Sequence, residues 1–355
     1  MTAVLVTGGS GFIGANLAID VKQSRAGCRV VALDNLNRRG SELNLPRLKE
    51  AGVEYLHGDV RQMDDLRAAG KFDVLLECSA EPSVLAGLGG SPAYVVQTNL
   101  CGTINCLERC RELGAAILFL STSRVYPTAL LNRLVVCETE SRFQLTDNQS
   151  IPGASTAGIS EEFPMEGCRS LYGATKLASE LLLREYVEAY RIPGVILRCG
   201  VVAGPWQMGK VDQGFVSLWV AAHVFHRPLS YIGFGGTGKQ VRDLVHLSDL
   251  SDLVRLFLAD MAQYSGRVFN VGGGSPNSVS LRELTDICAE ATSARVDVSS
   301  VAETRPADVR LYVTDCAQVM RELSWAPKRS VSEIVEDVAR WMVERRHSLA
   351  QIFGA

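Results

Sequence analysis

The chain has no marked excess of either charge. Its 36 Lys and Arg stand against 39 Asp and Glu over 355 residues, a net charge of −3. Nucleic-acid binding calls for a basic stripe, so no nucleic-acid partner is expected. No run approaches the roughly 20 apolar residues of a membrane-spanning helix, so no membrane partner is expected either. The start MTAVLVTGG reads directly into a strand and lacks the basic start and cleavage site of a secretory leader, which points to a cytoplasmic location. Among ten cysteines no C-x-x-C pair occurs, and the scattered thiols read as buried small hydrophobes. His223 and His226 stand one helical turn apart with no carboxylate ligand nearby, too little for zinc, so no metal is expected. Internal repeats and low-complexity tracts are absent.

What the chain does have is an ordinary globular balance, 47% hydrophobic and 21% charged, enough for one large or two modest domains. Short apolar runs at 3–7, 28–34, 53–59, 72–78, 115–121 and 194–199 alternate with helical stretches, including long ones at about 92–113 and 170–190. Strands that alternate with helices predict a parallel sheet covered on both faces, with right-handed connections. From 128 to 169 the pattern lapses into a Ser, Thr, Gly and Pro-rich loop. Beyond 199 the segments shorten. Helices are expected near 213–226, 247–262, 280–292 and 330–347, and a strand at 267–272.

The first strand runs into TGGSGFIG, which supplies Gly8, Gly9, Gly11 and Gly14 between a strand and a helix. Glycines there permit a tight turn, close approach of the backbone to a pyrophosphate, and close packing of helix on strand. The helix start then offers N–H groups and a positive dipole end to phosphates. Asp34 ends the second strand, 20 positions after Gly14, where an acid can accept from the adenosine ribose hydroxyls and repel a 2′-phosphate. NAD is therefore favoured over NADP, although Arg38 and Arg39 pull the other way. Asp59, at the end of the third strand, either reaches the adenine or serves a turn.

In SLYGATKLAS, Tyr172 and Lys176 lie one helical turn apart. A free phenol, with its pKa near 10, is a poor base at neutral pH. A cation beside it favours the phenolate, and an i, i+4 helical pair provides that proximity. Such a pair can take the proton of an alcohol while hydride leaves for NAD.

With the glycine turn, this pair resembles the extended branch of the short-chain dehydrogenase/reductase superfamily, over residues 3 to about 340. TGGSGFIG matches the branch's T-G-x-x-G-x-x-G, and STSRVYP (121–127) matches its serine/threonine motif before V-Y-G, with Pro127 in place of the glycine. The resemblance implies a Rossmann-type doubly wound parallel sheet with a smaller mixed C-terminal domain. It implies an NAD-binding domain over 1–202, rejoined by about 244–272, and a nucleotide-sugar-binding domain over 203–243 and 273–355. It also implies a catalytic triad of Thr122, Tyr172 and Lys176. Cofactor contacts would come from Gly8, Gly11, Phe12, Ile13, Gly14, Asp34, Asn35, Asn37, Arg38, Asp59, Val60, Ala80 and Asn99, and from Tyr172 and Lys176 themselves.

Extended members mostly act on nucleotide-activated sugars. GKQVRDLVH (238–246), ETRPADVR (303–310) and GPWQ (204–207) resemble their diphosphate-gripping and entrance segments, which gives Arg242, Arg305, Asp308 and Gln207 as substrate residues, with Arg124. Dehydratases of the branch carry an Asp-Glu pair after the catalytic threonine. Here Ser123 and Arg124 stand there, and a protonated arginine serves as neither acid nor base. DNLNRRGSELNL (34–45), the basic residue before VYP, ETESRF (138–143) and VDQGFVSLW (211–219) resemble the CDP-paratose 2-epimerases. ECSAEPSVLAGLGG (77–90) departs from the usual H-L-A-A-type start, and the loop after 143 is longer. The expected protein is a nucleotide-sugar epimerase that holds NAD and inverts C2 of a CDP-deoxyhexose. The alternatives are a 4-epimerase of UDP- or CDP-sugars, and a non-catalytic NAD-binding sensor. A homodimer or homotetramer is expected from the long helices at 92–113 and 170–190.

Overall fold

The computed structural model describes residues 2–209 and 213–353, so Val211 and Asp212 of the VDQGFVSLW stretch lie outside the described residues. The predicted alternation appears as β1 (Ala3–Thr7), α1 (Phe12–Ser24), β2 (Arg29–Asp34), β3 (Glu54–His57), β4 (Val74–Glu77), α2 (Gly102–Leu113), β5 (Ala116–Thr122), α3 (Leu171–Tyr190) and β6 (Gly194–Cys199). Further on come β7 (Val201–Ala203), α4 (Phe215–Val224), β8 (Val241–His246), α5 (Leu247–Ala259), β9 (Val268–Val271), β10 (Ser278–Ser280), α6 (Leu281–Thr292), β11 (Leu311–Tyr312) and α7 (Val331–Glu344).

Seven strands form one parallel sheet in the order β9, β6, β5, β4, β1, β2, β3. Every residue of β4, β5 and β6 is buried, as expected where helices cover both faces of a sheet and period-2 alternation is lost. The order reverses between β1 and β4, and in open α/β sheets the crevice at such a switch point, beyond the strand C-termini, is where ligands bind.

The chain divides into two compact units. One comprises Met1–Val125, Leu171–Arg198 and Ser251–Phe269, and the other Tyr126–Ser170, Cys199–Leu250 and Asn270–Ala355. In the second, β8 pairs with β7 and β11 in parallel and with β10 antiparallel, a mixed sheet. Helices α4, α6 and α7 pack on one another there. Both α6 and α7 open with a capping box, Ser280 with Glu283 and Ser330 with Glu333, which satisfies N–H groups the helix itself leaves open. The 128–169 stretch is not a bare loop. It carries a helical turn at Thr128–Leu131 and two small antiparallel pairs, Val136–Glu138 with Phe143–Leu145 and Ala154–Ser155 with Gly158–Ile159. Strands of two or three residues are too short for a hydrophobic period, which is why the sequence pattern misses them.

Candidate active site

Within the first unit, Gly8 turns the chain off β1 with φ +63°, and a Cβ there would stand 2.8 Å from the Cys78 carbonyl oxygen beyond β4. A Cβ on Gly14 would stand 2.1 Å from the Gly8 oxygen, so α1 is packed onto the turn at glycine distance. Gly11 caps α1 without a side-chain acceptor, and the first turn carries no acid. Phe12 and Ile13 follow it half-buried. The result is a backbone cradle ending at the positive end of a helix, the arrangement a pyrophosphate requires.

Asp34, at the end of β2, accepts from the Ser10 N–H at 3.0 Å and from the Leu36 N–H at 2.8 Å. Burial pushes its carboxyl above the usual range, and those backbone donors oppose the rise. Asp34 therefore braces the glycine turn from the end of β2. Beside it, Asn35 donates to Asp59 at 2.9 Å and Asn37 to the Tyr94 hydroxyl at 2.9 Å. Arg61 grips Asp59 at 2.6 Å and holds that carboxyl down at about 2. Arg38 is half-buried and Arg39 exposed. Val60 is buried against Gly102, where a Cβ would meet its side chain at 2.7 Å, and Ala80 lies half-buried in the loop after β4.

Sequence reasoning missed Asn44, which donates to the Ser10 carbonyl at 2.9 Å from beneath the turn, and Arg47, which accompanies it at 2.6 Å. Both lie in or just after the DNLNRRGSELNL region, but only folding carries them to the glycines. These features fit a dinucleotide on three counts: a cradle that side chains would fill, an uncapped helix start, and an acid at the end of β2.

Asn99 is fully buried in a π-turn, Gln97–Cys101, which precedes α2. Its side chain accepts from the Glu81 N–H at 2.8 Å and donates to the Glu81 carbonyl at 3.1 Å and to Thr175 at 3.3 Å. Asn99 thus clamps the loop after β4 to α3, the helix that carries Tyr172 and Lys176.

Thr122 closes β5, and its hydroxyl accepts from the Arg124 N–H at 3.2 Å. Helix α3 packs along β5 and the turn after it. It buries Tyr172 at 9% exposure and Lys176 at 2%. The Lys176 ammonium lies 3.9 Å from the centre of the Phe119 ring on β5. One turn further, Glu180 pairs with Arg198 of β6 at 2.7 Å and accepts from Ser121 beside Thr122. This buried ion pair, which sequence reasoning missed, pins α3 to β5 and β6, and so fixes where Tyr172 and Lys176 stand along Thr122. The pattern Tyr172, Lys176, Glu180 at i, i+4, i+8 is the signal that could have found it.

In the second unit, Arg242 on β8 donates to Asp308 at 3.0 Å and to the Val309 carbonyl at 2.8 Å, so two of the expected substrate residues are already joined. Arg305 is half-buried in the same turn, where the Asp308 N–H donates to its carbonyl at 3.2 Å. Gln207 is buried, donating to Val202 at 3.1 Å and accepting from Ser217 at 3.0 Å. The structure thus groups Thr122, Arg124, Tyr172 and Lys176 in one unit, and Gln207, Arg242, Arg305 and Asp308 in the other.

Comparison with known proteins gives the same class of chemistry. A profile described as the NAD dependent epimerase/dehydratase family matches residues 4–272. The CDP-paratose 2-epimerase of Salmonella typhi is 29% identical, over 95% of this chain and 98% of that protein. The dTDP-glucose 4,6-dehydratase of Xanthomonas campestris pv. campestris (strain B100) is 28% identical, over 96% of this chain and 93% of that protein. A solved UDP-glucose 4-epimerase of Thermus thermophilus, in complex with NAD, is 27% identical with a TM-score of 0.77, covering 96% of this chain and 99% of that one.

Proposed function

This chain belongs to the NAD dependent epimerase/dehydratase family, and on that premise we propose that it inverts C2 of a CDP-deoxyhexose of the paratose/tyvelose type by transient oxidation to a keto sugar. The family makes it an NAD-dependent enzyme of the nucleotide-sugar epimerase and dehydratase class. The observation that carries the epimerase reading is Arg124, with Ser123, directly after Thr122, where the branch's dehydratases hold an acid pair. A guanidinium stays protonated and cannot shuttle the protons of dehydration. The choice of C2 and of CDP is supported by similarity to the Salmonella typhi enzyme over nearly the full length of both chains.

In this reading the first unit holds NAD and the second the nucleotide sugar. Bound there, NAD would supply a hydride acceptor and, once the keto sugar has turned its other face, a donor of the same hydride. Tyr172 takes the proton of the reacting alcohol, and the C–H bond electrons leave with the hydride, so the carbon becomes a ketone. Lys176 favours the phenolate and holds the nicotinamide ribose. Thr122 donates to the reacting oxygen. Arg242 and Arg305 hold the diphosphate, and Asp308 orients Arg242 and meets the ribose. Charge-assisted contacts of this kind fix phosphate strongly. We assign the protein to the cytoplasm as a homodimer or homotetramer, with Leu181 and Tyr190, both more than half exposed on α3, at the contact.

The test is to purify the protein, identify bound dinucleotide by mass spectrometry, and offer a panel of CDP- and UDP-hexoses. C2-inverted product from a CDP-deoxyhexose is expected. Inversion confined to C4 of a UDP-sugar would instead select the 4-epimerase reading, which the similarity to the Thermus thermophilus enzyme supports. Light scattering at the same stage reads the assembly.

A further inference from the structure

Glu77 ends β4, in register with Thr7 on β1 and Phe119 on β5. Register partners in a parallel sheet project to the same face, and adjacent strands lie about 4.8 Å apart. The Lys176 ammonium rests on the Phe119 ring, so ammonium and carboxylate lie over neighbouring strands on one face. Glu77 is 0% exposed and Lys176 2%. Glu77 Oε1 accepts from Thr103 at 3.1 Å and from Ser79 at 3.3 Å, while Oε2 has no hydrogen-bond partner among the described residues.

A sealed carboxylate is strongly disfavoured unless a charge answers it. Glu180, a buried carboxylate of α3, is already matched to Arg198. The titratable groups that face Glu77 are Lys176 from α3 and the Cys106 and Cys110 thiols from α2. Burial pushes both thiols far above their ordinary range, so they stay neutral, and among the described residues Lys176 is the cation that answers Glu77. Burial pushes Glu77 itself up, and Lys176 draws it back. This is also the start of the ECSAEPS segment, where the sequence departs from the H-L-A-A-type pattern of its branch.

We propose that Glu77 is a positioning residue whose buried carboxylate answers the Lys176 charge and so sets the pH at which Tyr172 releases its phenolic proton. The inference rests on the reading of Tyr172 as the base. While Glu77 is ionised, it offsets part of the ammonium's pull on the phenolate, and Tyr172 ionises at higher pH. When Glu77 takes a proton from solvent, the offset disappears and Tyr172 ionises at lower pH. The two titrations are coupled, and each shifts the other.

The phenolate of Tyr172 is read by ultraviolet titration of the NAD-containing protein, as the difference from Tyr172→Phe, which isolates it among nine tyrosines. In Glu77→Gln its midpoint is expected to fall by at least about 0.5 pH unit, roughly a threefold gain in phenolate below the midpoint. Glu108→Gln, at a carboxylate on α2 bound to Arg111 at 2.7 Å, should leave the midpoint in place. No shift in Glu77→Gln, or a rise, overturns the proposal. Should Glu77→Gln not fold, carboxyl-carbon NMR of Glu77 in the unaltered chain and in Lys176→Met gives the answer. Loss of the ammonium should raise the Glu77 midpoint, and an unchanged midpoint overturns the proposal. Neither titration uses a sugar substrate. Failure of every nucleotide sugar to react would sink the functional reading alone, and flat titrations in an active enzyme would sink the role of Glu77 alone.

Discussion

Replacing Tyr172 by Phe removes one oxygen from a buried ring and keeps its shape. If Tyr172 is the base, turnover should fall about a hundredfold to ten-thousandfold, with circular dichroism and NAD content unchanged. Activity like that of the unaltered chain would remove the phenol from the mechanism. A second test at this scale concerns Asp59, which Arg61 holds at about 2 against an ordinary 3.8. A lowered carboxyl contributes stability above its unfolded value and loses it as pH falls through the folded one. Asp59→Asn should therefore be less stable than the parent by a constant amount above about pH 5, with the difference shrinking as pH falls through the folded value and vanishing only at about pH 1. Denaturant unfolding across that range checks it, and a difference that does not shrink with falling pH would assign the loss to packing. The roles proposed for Tyr172, Lys176 and Asp34 can be read from the sequence because their neighbours in the chain suggest them. Those of Glu77, Asn44 and Arg61 cannot, because their meaning comes from side chains remote in sequence or from the turn that folding makes.

At the scale of the element, α3 carries both members of the proposed Tyr172–Lys176 pair and is held by a buried ion pair. Its Glu180 and Arg198 of β6 are 3% and 6% exposed, so the pair is scarcely screened. Arg198→Met leaves a buried carboxylate without its cation and should cost about 3–5 kcal/mol. The double variant Arg198→Met, Glu180→Gln removes the uncompensated charge and should recover much of that loss. Urea unfolding distinguishes the cases, and equal losses in single and double variants would show that the pair is not coupled. The helix expected at 92–113 is interrupted by the π-turn Gln97–Cys101. The Asn99 carbonyl in that turn accepts from Ser179 of α3 at 3.1 Å. A single π-turn inserts one residue, and a one-position slip in the apolar stripe within so short a helix is not distinguishable in the sequence pattern.

For the whole molecule, the decisive test follows one hydrogen. If C2 is oxidised and reduced by the same bound cofactor, the C2 hydrogen never reaches water. Substrate deuterated at C2 should give C2-inverted product that keeps its deuterium, and reaction in deuterated water should leave the product carbons unlabelled. Solvent label at C2, read by mass spectrometry and NMR, would replace hydride transfer with deprotonation. The sequence by itself determined the alternation of strand and helix, the glycine turn, the Tyr172–Lys176 spacing and the family resemblance, because each is written in residues close together along the chain. Tertiary structure alone decided the strand order β9, β6, β5, β4, β1, β2, β3 and its switch point. It also decided the pairing of Arg242 with Asp308 and of Glu180 with Arg198, and the place of Glu77 beside the ring that carries Lys176. Those partners sit on separate elements, and only burial in a common core, where a charge must find its opposite, brings them together.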